Sequence, residues 1–296
     1  MLSILVPIYN YNVYPMVLEL QKQCIKRGIV FEILCQDDAS QSSLNAFNEN
    51  VNALSNCSFV SIKEKLAHRE NRNSLAEQAK FDYLLFIDGD SIIIHDNFIK
   101  KYIDNLHDFD VVYGGRLHPE KCPSDDQKLR WKYGRFIEDK TAENRKKKTY
   151  SSVLFNNTII KKECFNQVKF DAHLKKYGHD DTQVSYQLSL LQARVNHIEN
   201  AVEHGDIDIN VVYIKKTKES LENLIALYQS KKIDVVFVKL LRFYDFLRKT
   251  KSTFIIAKIH FVLERALVRN LTGNNPNLLL FNWFRIGYLC SIKQEN

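Results

Sequence analysis

Only nine glycines and five prolines occur in 296 residues, too few for a fibrous, collagenous or linker-rich chain. No stretch reaches about 18 uninterrupted apolar residues, the length a bilayer-spanning helix needs. The six cysteines (Cys24, Cys35, Cys57, Cys122, Cys164, Cys290) show no Cys-x-x-Cys pair and no framework spacing. They read as small core residues of a protein in a reducing cytosol. Residues 1–8 contain no basic n-region, so Met1-Leu2-Ser3-Ile4-Leu5-Val6-Pro7 does not read as a signal peptide. Gly-x-Gly-x-x-Gly and the P-loop pattern are both missing, which counts against a dinucleotide or P-loop site. No internal repeat is visible.

What is present is apolar substance and an uneven charge. Hydrophobic residues make up 45%, enough for one sizeable core plus an appendage, or two small domains, and too much for disorder. The net charge is +7. Thirteen Lys/Arg against five Asp/Glu lie between Lys215 and Arg269, so the rest of the chain is close to neutral. A basic end on a neutral body points to an anionic partner surface, lipid head groups ahead of nucleic acid.

The first hundred residues alternate regularly. Leu2–Ile8 is a short apolar run that reads as a buried strand. Pro15 opens a helix with Val17, Leu20 and Cys24 on one face, ending near Gly28. Strands follow at Val30–Cys35, Phe59–Ile62 and Tyr83–Ile87, with helices over about 43–54 and 69–79. That rhythm predicts a mostly parallel sheet flanked by helices, an α/β fold. Asp96 caps a helix to about His107, and Val111–Tyr113 is a short strand. The polar stretch 118–148, with its basic run Arg145-Lys146-Lys147-Lys148, reads as a surface helix or a mobile loop. Val153–Phe155 and Ile159–Ile160 flank Asn156-Asn157, and a helix covers about 180–192. Basic amphipathic segments follow, which places a boundary at 214.

In an open parallel sheet, ligands bind beyond the carboxyl ends of the strands. Three places qualify: Pro7–Asn10, Gln36–Ser40 and Asp88-Gly89-Asp90. The chain has three Asp-x-Asp patterns, at Asp88/Asp90, Asp108/Asp110 and Asp206/Asp208. Only the first directly follows an apolar strand, with a central glycine that allows close backbone approach. Two carboxylates on such a turn suit Mg2+ or Mn2+ bridging diphosphate oxygens, although a solvated turn explains an isolated match equally well. In Tyr177-Gly178-His179-Asp180-Asp181-Thr182 the paired acids would cap a helix, or one of them is a general base.

As an ordered set these motifs resemble glycosyltransferase family 2, with its GT-A fold. The set comprises Ser3-Ile4-Leu5-Val6-Pro7-Ile8-Tyr9-Asn10, the Asp-Asp-x-Ser turn at 37–40, Asn71-Arg72-Asn73 and Tyr83 through Asp90. The segment from Tyr177 to Thr182, followed by Ile198-Glu199-Asn200-Ala201-Val202-Glu203-His204, resembles a bacterial branch that builds surface polysaccharide or lipopolysaccharide. The tail Asn275-Pro276-Asn277-Leu278-Leu279-Leu280-Phe281 resembles the end of such enzymes.

The resemblance implies a Rossmann-like GT-A catalytic domain over 1–214 with a helical C-terminal extension over 215–296. By position, Pro7 and Asp38 would contact the base of a nucleoside-diphosphate sugar, a UDP-sugar first, with Tyr9 nearby. Arg72 would help hold the nucleotide and Asp88 would face the ribose or donor sugar. Asp90, with Asp88 and His204, would hold Mn2+ or Mg2+, and Asn156 and Asn157 would line the donor sugar. Asp181 matches the general base, supported by Asp180, where related sequences carry the longer Glu. Inverting transfer needs a stabilised diphosphate leaving group and a base for the acceptor hydroxyl, and these groups could supply both. The acceptor would be a glycan or lipid-linked hydroxyl, and the enzyme cytoplasmic, held peripherally on an anionic inner membrane face, with no nucleic acid partner.

Other residues carry plainer readings. His68, His95, His107, His118, His173 and His197 read as surface or structural. Trp131 and Tyr133 could stack on an acceptor sugar or simply pack beneath the basic loop. Two rival functions remain at this stage. A nucleotidyltransferase would want a glycine-rich basic loop after the first strand, and Asn10–Tyr14 is not one. A non-catalytic membrane-bound partner that kept the fold would be expected to have lost some of Asp88, Asp90, Asp181 and His204.

Overall fold

The computed structural model describes residues 1–174 and 176–292. It forms two compact units, the first of Met1–Leu117, Asp139–Ala172 and Gln187–Asp206, the second of His118–Glu138, His173–Tyr186 and Ile207–Asn296. In chain order the elements begin β1 (Leu2–Ile8), α1 (Tyr14–Arg27), β2 (Phe31–Asp37), α2 (Asn45–Asn48), β3 (Cys57–Ser61), α3 (His68–Gln78) and β4 (Tyr83–Ile87). They continue with β5 (Ser91–Ile93), α4 (Phe98–Ile103), β6 (Val111–Tyr113), β7 (Arg116–Leu117), α5 (Lys128–Tyr133), α6 (Ala142–Lys146), β8 (Asn157–Lys161) and α7 (Lys162–Val168). The last are α8 (Asp180–Leu190), β9 (Val195–His197), β10 (Val202–His204), α9 (Asn210–Gln229), α10 (Lys239–Lys249), α11 (Thr253–Leu271) and α12 (Leu278–Ser291).

The first unit is an α/β fold on a seven-stranded, mostly parallel sheet of order β3-β2-β1-β4-β8-β6-β9. All seven residues of β1 are buried, as a strand covered on both faces requires. Its register with β2 runs from Leu2↔Phe31 to Ile8↔Asp37, and β4 pairs with its other edge. Strand order therefore reverses between β1 and β4, and the loops leaving their carboxyl ends diverge to open a crevice. Helix α1 starts with proline in its first turn and stops at Gly28, whose φ of 66° fits the left-handed cap. Its Met16, Val17, Leu20 and Cys24 join the sheet core. Phe86 centres an aromatic cluster with Phe155, Phe165 and Phe170 at 5.0–6.3 Å between ring centroids.

Two regions differ from the sequence expectation. Strand β8 runs antiparallel to both β4 and β6, inserted between elements that pattern alone would make neighbours. The stretch 118–148 takes the helical of the two expected forms, with α5, a π-helical turn at Gly134–Glu138 and α6, but it is not solvated throughout. Arg145, read as part of a solvated basic run, is buried: its guanidinium donates to the carbonyls of Gly114 at 3.0 Å and Ile198 at 2.6 Å. These bonds satisfy carbonyls at the end of β6 and after β9.

The second unit is helical. Leu221, Leu224 and Leu227 of α9 pack with Leu241 and Tyr244 of α10 and Leu289 of α12. A second cluster joins Leu129, Ile214, Leu267, Leu271, Phe281 and Phe284. Trp131 donates to the Pro119 carbonyl at 2.8 Å, and Tyr133 accepts from Arg285 at 3.0 Å while packing on Phe281. Both aromatics are thus committed to packing. Among the described residues all six cysteines are free thiols, and no helix is long and apolar enough to cross a membrane.

Candidate active site

The turn after β4 is shaped by what it must approach. A Cβ on Gly89 would lie 3.1 Å from the Pro7 carbonyl and 3.3 Å from Val13 Cγ1, so glycine lets Asp88 and Asp90 lie against the end of β1. The Asp88 amide donates to the Asn156 carbonyl at 3.3 Å. Its carboxylate accepts from the Arg72 guanidinium at 2.5 Å, and His68 Nε2 stands 3.9 Å away. Burial works to raise the Asp88 pKa, but Arg72 and His68 outweigh it and hold the carboxyl well below the usual range. Arg72 is 1% exposed and lies over the Phe170 ring, so it acts on this turn through Asp88.

Asp90 is placed differently. Strand β10 pairs antiparallel with β5, His204 opposite Ser91, and the Gly205 amide donates to the Asp90 carbonyl at 2.8 Å. This small sheet, β5-β10-β7, brings His204 Nδ1 to 3.1 Å from Asp90 Oδ2. The other carboxylate oxygen, Oδ1, is buried without a hydrogen-bond partner among the described residues. An unpaired buried carboxylate oxygen is costly, and a cation relieves that cost directly. Among the described residues no group of three or more His, Cys, Asp or Glu surrounds a common point. The chain thus offers Asp90 Oδ1, with His204 beside it and Asp88 two residues earlier. This hard-oxygen set suits Mg2+ or Mn2+ completed by ligand oxygens.

In each of the other two Asp-x-Asp patterns the second acid is paired with cations of the fold. Asp110 accepts from Lys161 at 2.9 Å and from the backbone and side chain of Arg194. Although burial opposes, these groups hold it well below the usual carboxylate range. Asp208 pairs with Lys216 through both oxygens, at 2.8 and 2.9 Å.

At the end of β2 the adjacent acids divide their work. Asp37 accepts from Ser40, Asn45 and Ser61 and so shapes the turn. Asp38 accepts only from the Leu66 amide, at 2.6 Å. Tyr9, past the end of β1, is 57% exposed with Lys65 Nζ 4.1 Å above its ring. Asn156 is buried with its Oδ1 unpartnered. Asn157 is 0% exposed; it donates to the carbonyls of Gly115 and Asn200 and accepts from Tyr102. Both amide hydrogens are consumed, so Asn157 locks β8 to the Gly114-Gly115 turn.

In the second unit, the segment before α8 is pinned by α9. Asn223 donates to the carbonyls of Lys176 and Gly178, at 2.9 and 2.7 Å. His179 takes a left-handed φ of 61° and meets Thr182 Oγ1 at 3.1 Å. Burial, then Arg285, push its pKa down to about 4 against the pull of Asp180, so it is neutral at physiological pH. Asp180 and Asp181 form the first turn of α8, where the helix dipole favours negative charge.

The family model for glycosyl transferase family 2 matches residues 3–173, more than half the chain. The chain belongs to that family. Among solved structures, it resembles the mannosyltransferase PcManGT from Pyrobaculum calidifontis, solved in complex with GDP-Man and Mn2+. The TM-score is 0.58 and the identity 14%, over 98% of this chain and 85% of that one. It also resembles residues 1–349 of TarS from S. aureus, with a TM-score of 0.50 and 17% identity, over 97% and 90% of the two chains. These likenesses establish the GT-A fold. No curated protein sequence matches the chain.

Within the first unit of this glycosyltransferase, Pro7, Tyr9, Asp38, Arg72, Asp88, Asp90, Asn156 and His204 lie at or beside strand ends around the β1/β4 switch point. Two neighbours escaped sequence reasoning. His68 was read as structural, yet faces Asp88. Tyr11, whose hydroxyl would lie 2.9 Å from a Cβ on Gly205, has its pKa raised by burial and then by Asp90 and Asp206. A histidine or tyrosine three to four residues from a motif has no spacing signal of its own; only the fold returns it to the site.

Proposed function

We propose that the enzyme transfers a sugar from a nucleoside-diphosphate sugar, a UDP-sugar first, to a hydroxyl of a glycan or lipid-linked acceptor, with inversion. The observation that carries the metal-dependent reading is the buried, unpartnered Oδ1 of Asp90 beside His204. The GDP-Man and Mn2+ bound to the mannosyltransferase of the same fold support it. Asp90 and His204, with Asp88 held by Arg72, would hold Mn2+ or Mg2+. A divalent cation bound there supplies the Lewis acidity that stabilises a diphosphate leaving group.

The chain's own residues do the rest. Asp38 and Pro7 receive the base, with Tyr9 nearby, and Asp88 and Asn156 face the ribose and donor sugar. Asp181 accepts the proton of the acceptor hydroxyl as its oxygen bonds to the anomeric carbon. The bond from that carbon to the diphosphate oxygen breaks on the opposite side, which inverts the centre. Asp180 supports Asp181. Residues 1–214 carry this reaction. Residues 215–296 attach the enzyme peripherally to the inner face of the cytoplasmic membrane, where a lipid-linked precursor of polysaccharide or lipopolysaccharide is presented.

The test is a thermal-shift screen of nucleotide sugars with and without Mn2+, since stabilisation tracks affinity. One donor that raises the melting midpoint only with the cation supports the reading. Absence of any cation-dependent shift across all donors overturns it.

A further inference from the structure

Helix α11 buries His260, Leu267 and Leu271. Its opposite side, at helical spacing, carries Phe254, Lys258, Phe261, Val262, Arg265 and Arg269. Phe261 is 82% exposed, Val262 76% and Phe254 65%, and Lys258 Nζ lies 4.5 Å over the Phe254 ring. The helix's single acid, Glu264, is paired with Lys218 at 2.7 Å. Helix α10, joined to α11 by Thr250–Ser252, repeats the pattern. Its exposed Phe243 and Phe246 stack at 6.4 Å among exposed Lys239, Arg242 and Lys249. Its one acid, Asp245, is buried and bound to Arg248 and Lys249.

Rings and aliphatic side chains this exposed are not explained by folding. A protein-packing face is depleted in the lysines that Lys239, Lys249 and Lys258 supply here, and a nucleic-acid face has no use for Val262 or Ile255. Aromatic and aliphatic groups among Lys and Arg, with both acids withdrawn, match an anionic headgroup layer above an acyl boundary. At about 28 Å long, α11 could lie along such a layer.

We propose that the outward faces of α10 and α11 dock on an anionic phospholipid surface. Phe254, Phe261 and Val262 enter the headgroup–acyl boundary while Lys258, Arg265 and Arg269 meet lipid phosphates. This rests on the peripheral attachment proposed above and assigns it to particular side chains.

The test is co-sedimentation of the full chain with phosphatidylglycerol-containing and pure phosphatidylcholine vesicles, without nucleotide sugar, at about 0.1 M and about 1 M salt. Between these the screening length falls from about 10 to about 3 Å. The parent should prefer the anionic vesicles and lose most of that preference at high salt. Lys258→Gln/Arg265→Gln should weaken anionic binding about 30-fold, at about fivefold per cation. Phe254→Ser/Phe261→Ser should weaken binding about tenfold per ring, and Phe47→Ser, an exposed ring of the first unit, should change nothing.

All these side chains are exposed, so unchanged melting midpoints will show that the variants fold. Parent binding to neither vesicle, variants that bind like the parent, or an equal loss in Phe47→Ser overturns the proposal. So does a chain that dimerises through these faces and ignores vesicles, or one that binds acidic protein or nucleic acid in their place. Vesicle binding lost with cation-dependent donor binding intact refutes the docking face alone. The reverse result refutes the chemistry alone.

Discussion

Replacing Asp90 with asparagine should separate the cost of the site from its use. In the metal-free protein, Asp90 Oδ1 is buried without a hydrogen bond while Oδ2 meets His204. An unsatisfied buried polar atom costs about 1–3 kcal/mol. The Asp90 side chain keeps 25% of its exposure, so the low end, about 1 kcal/mol, is the fair figure. Asparagine keeps the shape, but it leaves an amide atom at the same unpartnered position and gives up the charge facing His204. Asp90→Asn should therefore leave the melting midpoint of the metal-free protein within about 2 °C of the parent's, the shift about 1 kcal/mol makes in a chain of this size. The parent with Mn2+ and donor at about 100 times the dissociation constant should gain about 2.7 kcal/mol, or about 5 °C. The variant should gain nothing from that pair. Scanning calorimetry with chelator, with Mn2+ and with both ligands reads every term. A variant that melts several degrees lower in chelator, or keeps the Mn2+-dependent gain, refutes the reasoning.

Asp181→Asn should leave calorimetric donor affinity within a few-fold and cut turnover about 10²–10⁴-fold; if Asp180→Asn is the crippled variant instead, the two roles are exchanged. Arg72→Met should destabilise by about 3 kcal/mol in urea titrations, because a charge partner is removed from a buried pair, and Asp88→Asn in that background should restore part of the loss. Since Arg72 lowers the folded-state pKa of Asp88, that stabilisation is complete above the ordinary carboxylate range and fades as pH falls through it; an unchanged acid limb in Arg72→Met would refute the pairing. His197 is 1% exposed, donates toward the Thr149 carbonyl, and has its pKa lowered by burial from 6.5 to about 4. The unfolded chain then takes the proton first, so stability holds above about pH 6.5 and should drop by about 1.5 kcal/mol by about pH 5, a slope that His197→Gln should flatten in the same titrations.

The regular half of the fold was legible because its strands are buried on both faces and so read as unbroken apolar runs. Leu2–Ile8 and Tyr83–Ile87 are placed residue for residue. Strand β8 was not legible, since antiparallel insertion between β4 and β6 depends on pairing across 45 to 78 residues and leaves no local period. The basic run at 145–148 misled for a related reason. Arg145 is buried by hydrogen bonds to carbonyls from β6 and the segment after β9, partners its own neighbourhood does not announce. Asn157 shows the same limit at the site, because a polar residue at a strand start suits a ligand wall or an internal lock equally well until its partners are known.

The three Asp-x-Asp patterns show where local chemistry stops deciding. Their carboxylates are alike, and the apolar strand before Asp88 and the central Gly89 are the local differences. Asp110 is neutralised by Lys161 and Arg194, and Asp208 by Lys216, because those cations lie against them once the chain folds. Asp88-Gly89-Asp90 leaves β4 where the strand order reverses. Strand β1 runs beside it as far as Ile8, and Gly89 lets it press against the Pro7 carbonyl. Asp88 takes a cation from within, Arg72, while one oxygen of Asp90 is left with nothing. A topology that gains stability by pairing its polar groups leaves this carboxylate oxygen unpaired among the described residues, at a strand end bordering the crevice, and that is the physical ground for proposing the chemistry there.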